Sequence, residues 1–192
     1  KAIVSSCGQW LGTVSTEAGT DAASRIAFAR QSAKHLGLCV MWGKFLNYDR
    51  LPAGSRVTVS RLSAAIQSTI LHLIELDRMR HAQDSASHST SLAGIARRLD
   101  QELCKMLDRL VDSLEECRPV PQLPHAKVLL EDLHVAFGEL CEGTGDQEAA
   151  RRNAARHALA MMGQYGALLR AVAECHAQLD ELDWKSLNQG YF

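Results

Sequence analysis

The chain has 192 residues, a formal net charge of -1 from 21 basic and 22 acidic residues, 46% hydrophobic residues and 5% aromatic ones. Charges of both signs are mixed throughout, which excludes the one-sided basic footprint of a nucleic-acid-binding protein. No continuous apolar run reaches the roughly 18 to 20 residues that cross a bilayer, so no transmembrane segment is expected. This length is enough to bury one substantial core, and an aliphatic composition with only 4 prolines suits long helices.

Residues 1–14 are apolar but unpatterned, and are read as a short helix or an extended arm packed on the body. Thr20 and Asp21 then offer N-caps to a helix over 22–45 with Ile26, Ala29, Ala33, Leu36 and Val40 on one face. Leu51-Pro52-Ala53-Gly54 stops a helix and turns the chain. A second long helix over 56–80 follows, with Val59, Leu62, Ile66, Thr69 or Ile70, Leu73 and Leu76 at heptad-like spacing and Leu71 and Ile74 broadening the stripe.

The most regular stretch is 89–117, where Leu92, Ile95, Leu99, Leu103, Met106, Leu110, Leu114 and Cys117 recur at steps of three and four. Three prolines at Pro119, Pro121 and Pro124 make 118–124 a stiff connector. A helix over 125–141 ends at Gly143-Thr144-Gly145, and Asp146 caps a last helix over 147–182 carrying Leu159, Met162, Tyr165 or Gly166, Leu169, Val172, His176 and Leu179. The pattern predicts an all-α fold, an elongated antiparallel bundle of four long helices plus a shorter N-terminal helix or arm. A single domain over 1–192 is expected, with two helical hairpins hinged at 118–124 as the alternative.

Six cysteines occur without a C-x-x-C pair, mostly on or beside apolar stripes, where a free thiol acts as a small hydrophobe. A reducing compartment, and with it a cytoplasmic location, is expected. Lys1 in place of an initiator methionine fits a processed chain or a domain excised from a larger protein.

The chemistry-bearing residues form no complete catalytic or cofactor motif. Glu131 and His134 make one E-x-x-H pair, and His72 and Glu75 make a reversed one. A di-iron bundle needs two such pairs and two further carboxylates, so these four are weak metal candidates and no metal or other cofactor is expected. No G-x-S-x-G or phosphate-binding glycine loop occurs, the serines cluster in turns, and the reading leans away from an enzyme.

Gly163 and Gly166, with Ala158, Ala160, Ala167 and Ala171, put small side chains on the last helix, where they admit a close neighbour or leave room for a ligand. Trp42, Met161, Met162, Tyr165 and His176 are the candidates to line such a space. Arg151, Arg152 and Arg156 crowd the start of the same helix, and the tail keeps Trp184, Leu187, Tyr191 and Phe192. These seven are the candidate interaction residues. The expected function is association with a protein partner or as a homo-oligomer. The alternative is a small-molecule-binding sensory or regulatory domain of a larger, membrane-anchored protein.

Overall fold

A computed structural model describes residues 53–81, 90–116, 118, 119 and 148–184, and elsewhere Cys7, Ala27, Phe28, Arg30, Gln31, Lys34, Val128, Glu131, Asp132, His134, Val135 and Gly138. These residues are almost all helical and include no strand, so the fold is all-α. Three long helices carry most of the described core: α1 (Ala53–His81), α2 (Thr90–Glu116) and α3 (Glu148–Asp180).

Helix α1 starts three residues before the expected boundary, taking in Ala53 and Gly54. A proline ahead of a first turn costs the helix nothing, since the first amides have no intrahelical partner. Its core side chains are Leu62, Ala65, Ile70, Leu73 and Leu76, while Leu71 turns outward and is 65% exposed. By length and composition Gly54–Arg80 is apolar enough to cross a membrane, and 28% of its apolar window is buried. Serine and threonine between the aliphatic residues interrupt any continuous apolar run, while leucine, isoleucine, valine and alanine keep the average apolar.

Helix α2 buries Ile95, Leu99, Leu103, Met106 and Leu110, as its stripe predicts, and also Leu107. It ends where Pro119 forbids its continuation. The Arg118 amide donates 3.2 Å to the Ser113 carbonyl, satisfying one of the last carbonyls of the helix, and the Ser113 hydroxyl donates to the Arg118 carbonyl.

Helix α3 contacts both of the others and lies closest to α1. Thr69 meets Cys175, whereas the later residues His72 and Arg80 meet the earlier residues Gln164 and Tyr165, so α1 and α3 run antiparallel. Small buried side chains at Ala65, Thr69, Ala171 and Cys175 suit a close approach. The glycines do not supply it: Gly163 is exposed, and a Cβ there would meet nothing within 4 Å.

The inward face of α3 is Ala158, Met162, Tyr165, Leu168, Leu169, Val172, Cys175 and Leu179, with Leu159 56% exposed. Beyond its end, the Trp184 indole donates 3.2 Å to the Leu179 carbonyl and packs half-buried against the core. Cys7 and Phe28, both helical, complete the described core from the N-terminal part of the chain.

Candidate functional site

The main buried polar cluster joins all three helices. Arg80 lies in the last turn of α1, Asp100 in the third turn of α2, and Tyr165 midway along α3. Asp100 follows Leu99 and precedes Leu103 and Leu107, which puts its carboxylate on the buried side of α2. The Arg80 guanidinium donates 2.5 Å to Asp100 Oδ1 and also donates to the Tyr165 hydroxyl. That hydroxyl donates to Asp100 Oδ1 at 2.8 Å and lies 3.3 Å from the Ala96 carbonyl, a second acceptor. The side chains of Arg80 and Asp100 are only 17% and 3% exposed, and Tyr165 is fully buried.

Burial opposes the charge on Arg80, but Tyr165 and Asp100 more than offset it and hold the guanidinium above its ordinary value. Burial pushes the Asp100 carboxyl up, against the downward pull of Arg80 and of the Tyr165 hydroxyl. Burial also raises the Tyr165 phenol, with the Asp100 charge adding to it, so the hydroxyl stays a neutral donor. The cluster is a satisfied ion pair with a phenol bridge, suited to pinning three helices in register.

A second polar contact lies further along the α1–α3 seam. Thr69 Oγ1 donates 2.9 Å to the Ala65 carbonyl and sits 3.9 Å from Cys175 Sγ. Burial pushes the Cys175 thiol up to about 11, opposed by its bond with Thr69. Burial, with Cys175 adding, pushes Cys7 up to about 12, and burial with Asp100 and Asp108 pushes Cys104 up to about 11. At neutral pH all three thiols are protonated and poor nucleophiles.

The folded chain holds these protons more tightly than the unfolded chain does. Their stabilisation is therefore complete below the unfolded thiol value of about 8.5 and is lost as pH rises towards the folded values. The unfolding free energy from urea titration is expected to fall above about pH 9, by up to about 1.4 kcal/mol per pH unit for each fully buried thiol, and Cys175→Ala should flatten that fall. An identical alkaline slope in the wild type and Cys175→Ala would refute it.

The expected ligand-lining residues are only partly brought together. Met162 and Tyr165 are core side chains, Met161 is half-buried beside them, and His176 lies on the flank, half-buried. Trp42 falls outside the described residues. His72 receives the Gln164 amide on its carbonyl at 2.8 Å and on Nδ1 at 3.0 Å. Glu75 is held by Arg78 at 2.6 Å on the surface, and Glu131 and His134 are exposed. Among the described residues no group of three or more His, Cys, Asp or Glu is placed to hold a metal ion.

Of the interaction candidates, Arg152 and Arg156 are exposed and Trp184 caps the end of α3. The side chain of Arg151, and Leu187, Tyr191 and Phe192, lie outside the described residues. Arg80 and Asp100 were not legible as a pair from the sequence. The available signal was one acid on the widened apolar face of α2, with no indication of which cation meets it. No family model matches the chain, and neither a curated protein nor a solved structure shows significant similarity to it.

Proposed function

We propose that this chain is a non-enzymatic helical association module, an antiparallel bundle of four long helices with an N-terminal helix or arm, that binds a protein partner or its own copies. One observation carries the reading. Val57, Leu71, Val128, Val135 and Leu159 are all more than half exposed on helices, while Arg80, Asp100 and Tyr165 in the core are engaged with one another. Exposed aliphatic side chains gain by being covered, at roughly 25 cal/mol per Å² removed from water. A small-molecule site at Met162 and Tyr165 is the weaker reading, since a ligand there has to displace the bonds of Tyr165 to Arg80 and Asp100.

Sedimentation velocity combined with affinity capture tests the proposal. The expected result is a species larger than one chain, or a retained partner. Leu159→Asp, at an exposed position on α3, should weaken that association by about tenfold and leave the thermal midpoint within about 2 °C. A strict monomer that retains no partner would overturn the reading.

A further inference from the structure

Two exposed faces of this chain are complementary. Val128, Glu131, Asp132 and Val135, each helical, follow one another at spacings that place them on one side of a helix, and all four are exposed. On α3, Arg152, Arg156, Leu159 and Gly163 do the same, with a 56% exposed leucine beside the basic pair. One face presents valines around two carboxylates, the other a leucine beside guanidinium groups. The open space over Gly163 lets a facing helix come close.

We propose that a second copy of this chain is the occupant, with the 128–135 face of each copy docked on the 152–163 face of the other. The inference rests on the association reading above and names its partner. Both halves of the complementary pair belong to the same chain, and the arrangement proposed is the two-fold one, in which each face is used once per copy. The net charge of -1 leaves little long-range repulsion between copies. Arg156 against Glu131 and Asp132 supplies orientation, and Leu159 against Val128 and Val135 supplies the apolar contact.

The test is sedimentation equilibrium of the full chain and of charge reversals. Asp132→Lys alone and Arg156→Glu alone should each weaken the dimer by about tenfold or more, and raised salt should weaken the wild type. Mixing the two variants should restore dimerisation. In the mixed dimer one contact keeps the original charge pair and the other carries it reversed, so both are attractive. Asp132→Asn and Arg156→Gln, which introduce no repulsion, should give smaller losses and provide the check if a reversal unfolds the chain.

A wild type that stays monomeric at the highest concentration overturns this inference and leaves association with a different protein standing. A dimer indifferent to both reversals but broken by Leu71→Asp also overturns it, and places the association on α1 instead. Dimers of both variants that fail to recover on mixing overturn the reciprocal arrangement.

Discussion

Replacing Arg80 by methionine is expected to destabilise the protein by about 3 to 5 kcal/mol at neutral pH, because it leaves the Asp100 carboxylate buried without its cation. Asp100 is 2% exposed, and the hydroxyl of Tyr165 alone does not replace a guanidinium. The pH dependence gives a second readout. Burial already pushes the Asp100 carboxyl up, and removing Arg80 removes the strongest opposing pull.

The folded variant then binds a proton more tightly than the unfolded chain, whose aspartate titrates near 3.9. Its stability is greatest below that value and declines as pH rises through the raised folded value, so acidification from neutral should narrow the gap to the wild type. Adding Asp100→Leu and Tyr165→Phe to Arg80→Met should recover much of the loss, since no buried charge remains. Urea unfolding of the three proteins at about pH 5 and 7 measures this, and a single variant within about 1 kcal/mol of wild type at both would refute the buried pair.

The second large effect is expected at Leu103. Its side chain is fully buried on α2, and Leu103→Ala should cost about 2 to 5 kcal/mol through lost transfer energy and an unfilled cavity. Leu110→Ala, at 1% exposed, should fall in the same range. By contrast Leu159→Ala, on the open side of α3, should cost under about 1 kcal/mol. Chemical denaturation of the three variants separates the core from the surface, and equal losses at Leu103 and Leu159 would contradict the assigned faces.

How far the sequence reached differs from helix to helix. Helix α2 was legible because Leu99, Leu103, Met106 and Leu110 sit on one side with charges opposite, a pattern a helix can satisfy in only one rotation. Helix α1 was legible in extent but less so in orientation. Apolar residues surround it, so periodicity did not predict that Leu71 faces out while Ile70 faces in.

On α3 the expected stripe was right at Met162, Leu169, Val172 and Leu179 but placed Leu159 inward and missed Leu168 and Cys175. A helix touching two neighbours buries more than a seven-residue repeat describes, and both sides of the repeat then qualify. The Arg80 and Asp100 pairing was out of reach for a different reason. Charged residues default to water, and only tertiary placement shows which carboxylate is enclosed and by what.

The polar contacts along the α1–α3 seam also restrict how this pair of helices moves. Thr69 meets Cys175 at one level, and Arg80 reaches Tyr165 and Asp100 at another. Sliding α3 past α1 by one turn, about 5.4 Å, would pull Arg80 away from its buried acid before a new acceptor came into reach. A piston-like signal along this seam is therefore opposed by the ion pair.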